Sequence, residues 1–170
     1  MQRRWFLAAA CTLFIGLAGA AQAKTDFSGN WKLNVDKSDF GPIPPPTTMT
    51  MKIDHADPDL KVATSQSGPQ GDMSYDAKYT TDGKECTNTM GPMEAKSTVK
   101  WDGDDLAVNT NLDAGGMQIA IKGKWSLSAD GKILTQAAHV STPQGEIDVK
   151  YILEKQEQEK EKEKEKEKEK

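Results

Sequence analysis

The sequence predicts an all-β fold, an antiparallel up-and-down barrel of about ten strands without a substantial helix, and three observations carry that prediction. Turn signals recur roughly every 10 residues, the spacing of short strands joined by hairpins. Between them each segment alternates apolar and polar side chains, which gives one apolar face per strand. The connections are short, so successive strands lie side by side, and the long crossovers of a sandwich are missing.

The first strand, Phe27 to Val35, puts Phe27, Gly29, Trp31, Leu33 and Val35 on one face and Ser28, Asn30, Lys32 and Asn34 on the other. A long connection from Asp36 to Thr47 follows, and its Pro44-Pro45-Pro46 cannot continue a helix. Alternation then directs Met49, Met51, Ile53 and His55 inward before the turn Asp57-Pro58-Asp59, and Leu60, Val62 and Thr64 after it. Past Ser67-Gly68-Pro69-Gln70-Gly71 the inward residues are Met73, Tyr75, Ala77 and Tyr79, and past Thr81-Asp82-Gly83-Lys84 they are Cys86, Asn88 and Met90. Gly91-Pro92 leads to Met93, Ala95, Ser97, Val99 and Trp101, and Asp102-Gly103-Asp104 to Leu106, Val108, Thr110 and Leu112. After Asp113-Ala114-Gly115-Gly116 come Met117, Ile119, Ile121, Gly123, Trp125 and Leu127; after Ala129-Asp130-Gly131-Lys132 come Ile133, Thr135, Ala137 and His139. Thr142-Pro143-Gln144-Gly145 precedes the last strand, with Ile147, Val149, Tyr151 and Leu153 inward.

Flanking segments are of a different kind. Residues 1–23 have the parts of a secretory leader: basic Arg3 and Arg4, an apolar run from Trp5 to Ala20, and the small-residue site Ala21-Gln22-Ala23. Arg3-Arg4-Trp5-Phe6-Leu7 also resembles a twin-arginine signal, leaving two export routes open. A periplasmic or secreted location is expected. No later segment approaches the roughly 18 apolar residues of a membrane span. Residues 156–170 run through Glu-Gln-Glu-Lys into strict Glu-Lys alternation, with no apolar face to pack, and read as a solvated tail. The folded unit is then residues 24–155, one domain.

Charge and cysteine content narrow the partners. Cleavage of the leader removes Arg3 and Arg4 and shifts the formal net charge from -4 to -6, which argues against nucleic acid and anionic membranes. Of the two cysteines, Cys11 lies in the leader and Cys86 alone remains, so no intramolecular disulfide forms in the mature chain and stability must come from the core. A monomer is expected.

Phe27-Ser28-Gly29-Asn30-Trp31-Lys32-Leu33 resembles the first strand of the calycins: the Gly-x-Trp of lipocalins and the Phe-x-Gly-x-Trp-Lys-Leu of cellular fatty-acid-binding proteins. The whole mature chain is also similar to small exported bacterial lipocalin-like proteins. The resemblance implies a barrel enclosing a small apolar ligand. It also implies an arginine over the tryptophan and an Arg-x-Tyr carboxylate clamp, and here the chain departs. No arginine follows the leader, and Val149-Lys150-Tyr151 stands where Arg-x-Tyr belongs. The paired capping helices are replaced by the proline-rich connection.

In a meander, strand direction sorts inward residues by end. Trp31, Trp101 and Trp125 are expected together at a closed end, with the glycine before Trp31 making room for an indole plug. Met49, Met51, Met73, Met90, Met93 and Met117 are expected at the opposite, open end, where their flexible thioethers suit varied apolar partners. With Tyr75, Tyr151 and His139 as orienting polar groups and Phe40 on a flap over the mouth, they form the predicted ligand site. His55 and His139 fall at opposite ends, so neither a shared metal nor a cofactor is expected. No Gly-x-Ser-x-Gly, His-Glu-x-x-His, Walker or dinucleotide motif occurs. A binding barrel for a small neutral apolar molecule is thus favoured over a filled structural or protein-interaction barrel, and both over an enzyme.

Overall fold

A computed structural model describes residues 24–69 and 71–157; the expected leader, residues 1–23, and most of the expected tail lie outside the described residues. Ten strands follow in order: β1 (Gly29–Leu33), β2 (Thr48–Ala56), β3 (Asp59–Ser67), β4 (Met73–Thr80), β5 (Asp82–Met90), β6 (Met93–Asp102), β7 (Asp105–Ala114), β8 (Met117–Leu127), β9 (Ile133–Thr142) and β10 (Gly145–Gln156). The only helical piece among the described residues is one 3-10 turn, Val35–Lys37, where Asn34 caps the Lys37 N–H. All ladders are antiparallel, in the order β4-β3-β2-β1-β10-β9-β8-β7-β6-β5. The first and last strands therefore pair in mid-sheet, and the sheet curls into a nearly closed barrel. Gln156, expected in the tail, extends β10 opposite Asn30.

One seam stays open. β4 and β5 are sequence neighbours that share no ladder, and each is an edge. A side chain bridges them: Asn88 accepts from the Lys78 N–H at 2.7 Å and donates to the Lys78 carbonyl at 3.0 Å. The Asn88 amide thereby satisfies backbone groups that a partner strand would otherwise meet, as a sheet edge requires.

Cross-strand register shows which predicted phases hold. Partners in register share a face, so buried Met51, Thr64 and Ile53, Val62 fix the inward sets of β2 and β3 as expected. β9 is the exception. Leu127 pairs with Leu134, Trp125 with Gln136, Gly123 with Ala138 and Ile121 with Val140, so the inward residues are Leu134, Gln136, Ala138 and Val140. Ile133, Thr135, Ala137 and His139 belong to the outer face, because a shift of one residue moves every side chain to the other side.

Below the barrel's midline the interior is solid. Phe27, Trp31, Leu60, Leu106, Leu134 and Leu153 are fully buried, each aliphatic one contributing about 1.5–3 kcal/mol by leaving water. Trp31 Nε1 donates to the Phe27 carbonyl at 3.1 Å, and Phe27 lies against His55 and Trp101, with ring centroids 5.9 and 6.1 Å away. Asp57 fastens this end. It accepts from Thr81 Oγ1, from Trp101 Nε1 at 2.8 Å and from Lys24 Nζ at 3.1 Å. Those hydrogen bonds, Thr81's first, hold its carboxyl at a pKa of about 2.

The glycine of the opening motif serves a different neighbour from the one expected. Gly29 has φ +147°, a conformation that disfavours side chains, and a Cβ there would come within 2.6 Å of Lys155 Cε. The space belongs to the Lys155 stem, whose ammonium reaches 5.2 Å from the centre of the Trp31 ring. A lysine thus covers the tryptophan where the calycin resemblance implied an arginine.

Candidate functional site

Above the plug the barrel is hollow. A cavity of about 180 Å³ lies between the inner faces of β2–β5 and β7–β10. Its wall includes Met49, Met51 and Met90, the aliphatic Val62, Val108, Ile121 and Val149, and the aromatic Tyr75, Tyr79, Tyr151 and Trp125. No lining side chain carries a formal charge. Two larger hollows, of about 420 and 600 Å³, lie on the outer face and are floored by solvent-facing residues, Thr50, Lys52 and Ser65 in one and Lys122, Lys124 and Lys150 in the other. Of these three, the interior one alone has a mostly apolar wall without a charged side chain.

The connection between β1 and β2 covers the mouth. Asp39 exchanges two backbone hydrogen bonds with Lys150, at 2.8 and 2.7 Å, so the loop runs beside β10 as a short extra rung. This turns Phe40 inward, almost buried, against Tyr151 at 5.3 Å between ring centroids. A smaller space of about 90 Å³ lies beneath Phe40, Ile43, Pro44 and Pro46; Met49 and Tyr151 belong to its wall and to that of the main cavity. Those two side chains separate mouth from interior.

The cavity's polar groups are all neutral. Burial raises the Tyr75 and Tyr151 phenols above their ordinary value and Tyr79 further still, so none ionises near neutral pH. Ser97 and Thr110 satisfy each other at 2.8 Å. Gln136 reaches across from β9 to donate to Met51 Sδ at 3.6 Å. Thr64 differs: its hydroxyl is buried and has no hydrogen-bond partner, and the Tyr75 phenol, paired with it across the β3–β4 ladder, comes near without closing a bond of normal geometry. An unmet buried hydroxyl costs about 1–3 kcal/mol.

The predicted site residues divide. Met49, Met51, Met90, Tyr75 and Tyr151 line the cavity, and Phe40 roofs its mouth. Met73 and Met93 are half-buried at strand starts and outside the cavity wall, and Met117 is exposed. His139 points away from the interior: its Nδ1 lies 2.8 Å from Asp148 and its Nε2 3.6 Å from Glu146, and the Asp148 hydrogen bond raises its pKa. The expected division of tryptophan and methionine ends is also incomplete. Met51 stands directly opposite Trp31, and Trp125 lines the cavity. Strands cross a barrel at a tilt, so rank along a strand is not height in the barrel. Thr64 and Thr110 were assigned inward by alternation and could have been included; Gln136 was hidden by the β9 phase.

Neither a family profile nor a curated protein sequence matches the chain. Solved structures do. Secretory abundant heat soluble protein 4 from Ramazzottius varieornatus superposes with a TM-score of 0.55 at 15% identity, over 81% of this chain and 100% of that one. Zebrafish ileal bile acid-binding protein complexed with cholic acid gives 0.53 at 18% identity, over 76% and 98%. Human cRBP IV gives 0.50 at 17%, over 78% and 99%. These neighbours are calycin-type barrels, and the likeness establishes that the chain has this fold. At such identities it extends no further than the fold.

Proposed function

We propose that the protein is an exported carrier or scavenger that holds a small, neutral, apolar molecule inside its barrel. One observation carries this: an interior hollow whose wall is mostly apolar and bears no charged side chain, beside a loop whose Phe40 packs on Tyr151 at its edge. A filled structural barrel would have no reason to leave that volume open, since interiors are otherwise close-packed. A carboxylate ligand is disfavoured because Val149 stands where a cationic clamp would sit, and a buried carboxylate needs a paired charge or several donors. The three-part leader of residues 1–23 supports export. Among the described residues no helix is long and apolar enough to cross a membrane.

The test is titration with a neutral fluorescent apolar probe and its carboxylate analogue. The neutral probe is expected to bind at least about tenfold more tightly, the equivalent of about 1.4 kcal/mol. Met90→Trp, which fills the cavity from the β5 edge, should abolish binding while the protein stays folded. Absence of binding by any neutral probe, or unchanged binding in Met90→Trp, defeats the proposal.

A further inference from the structure

The closed end of the barrel holds a buried histidine that takes no part in the cavity wall. We propose that His55 is an acid-sensitive latch whose protonation releases residues 24–27, the strap that closes the barrel beneath Trp31, while the strands above stay folded. The latch is independent of any ligand.

The strap crosses the end of the barrel and is fixed at three points. Lys24 Nζ pairs with Asp57 at 3.1 Å and lies 5.0 Å from the centre of the Trp101 ring. The Phe27 ring is fully buried, and the Phe27 carbonyl accepts the Trp31 indole N–H at 3.1 Å. Between these points the Phe27 N–H donates to His55 Nδ1 at 3.3 Å. Ser28 is held differently: its hydroxyl accepts from the His55 backbone N–H at 3.0 Å and donates to the His55 carbonyl at 3.2 Å. Neither of those bonds involves a titrating group, so Ser28 stays on β2 and the strap pivots in front of it.

The chemistry of the ring makes the third point sensitive to acid. A ring nitrogen that accepts from an N–H carries no proton, so neutral His55 bears its proton on Nε2. The side chain is only 3% exposed, and Nε2 has no hydrogen-bond partner. Protonation of Nδ1 turns the acceptor into a second donor and sets it against the Phe27 N–H. Release of the strap satisfies both groups, because water then reaches the ring and the amide. Two charged groups of the strap itself face the ring, Asp26 at 3.9 Å and Lys24, and Asp57 faces it from the turn between β2 and β3. From β6 comes only the uncharged Trp101, at 5.7 Å between ring centroids, and the register partner on β3 is Leu60. Lys155 of β10 acts on Asp26. Burial holds the His55 pKa below the ordinary histidine value, and the Asp26 and Asp57 carboxylates offset part of that effect. A histidine with a lowered pKa lends stability that is fully present above its unfolded value of about 6.5 and is lost as pH falls through the folded value. Acid therefore opens the latch and base does not.

NMR of the purified chain from about pH 8 to about pH 4.5, the range in which histidines titrate, is the test. The His55 ring, the Phe27 amide and the Trp31 indole N–H should titrate with one shared midpoint, below that of His139, whose pKa the Asp148 hydrogen bond raises. Protection of the Phe27 amide against exchange should fall about tenfold or more across that midpoint, with the β7 and β8 resonances unmoved. His55→Asn keeps an acceptor near the Nδ1 position that does not titrate, so its Phe27 protection should stay level. Asp26→Asn preserves the acceptor for the Ser28 N–H but removes a charge that favours the protonated ring, so the midpoint should move to lower pH. Because Asp26 is exposed, that variant keeps the test decisive if His55→Asn folds poorly. A His55 titration that leaves the Phe27 amide and Trp31 indole unmoved overturns the proposal. So does an acid loss of protection in His55→Asn equal to the wild type, an unmoved midpoint in Asp26→Asn, or loss of β7 and β8 at the same midpoint as the strap.

Discussion

Trp31→Ala should be among the most damaging single substitutions in this barrel. The indole is fully buried, and truncating a core aromatic costs about 3–5 kcal/mol in lost transfer energy and residual cavity. Its Nε1 donor leaves the buried Phe27 carbonyl unpaired, and Lys155 loses the ring beneath its ammonium. The unpaired carbonyl adds about 1–3 kcal/mol and the lost cation contact about 1 kcal/mol or less, but the effects overlap with the cavity term because the groups touch. About 4–5 kcal/mol is therefore expected, enough to lower the thermal midpoint by roughly 15–20 °C in a domain of this size. Far-UV circular dichroism during heating and in urea is the assay, since tryptophan fluorescence itself changes with the substitution. Trp31→Phe keeps much of the bulk and loses the hydrogen bond, so it should cost about 1–2 kcal/mol. A loss below about 1 kcal/mol in Trp31→Ala would refute the idea that this end is a tightly packed plug.

Two further outcomes follow from particular contacts. Asn88→Ala removes the bridge across the β4–β5 seam; it should accelerate amide exchange in β4 at Lys78 and destabilise the fold by only about 1 kcal/mol, and unchanged exchange at Lys78 would show that the seam needs no latch. The Asp57 carboxyl, held at about 2, contributes stability that is fully present above the ordinary aspartate value of about 4 and is lost as pH falls through about 2. The urea midpoint should therefore fall between those pH values in the wild type and fall less steeply in Asp57→Asn, and parallel acid profiles for the two proteins would count against the network.

The sequence by itself determined the strands, their number and most of their faces. Alternation is written into each segment and needs no knowledge of its neighbours, so Met49 and Met51, Tyr75 and Tyr151 could be placed inward before any pairing was known. It failed where the alternation is ambiguous. In β9, Ile133-Leu134 and Ala137-Ala138 put apolar residues in both phases, and only the register of Leu127 against Leu134, set by the turn at Ser128–Lys132, makes Leu134 and Gln136 inward and sends His139 to the surface. The relation of the two ends failed for a kindred reason, because tilt and closure depend on β1 meeting β10, the most distant pairing in the chain. Gly29 was legible as a close approach, but which side chain approaches was decided by that same pairing, which lays Lys155 over Trp31. The cavity is the extreme case. An empty volume belongs to no segment: it is what remains when side chains from eight strands fail to meet, and so it exists only in the tertiary structure.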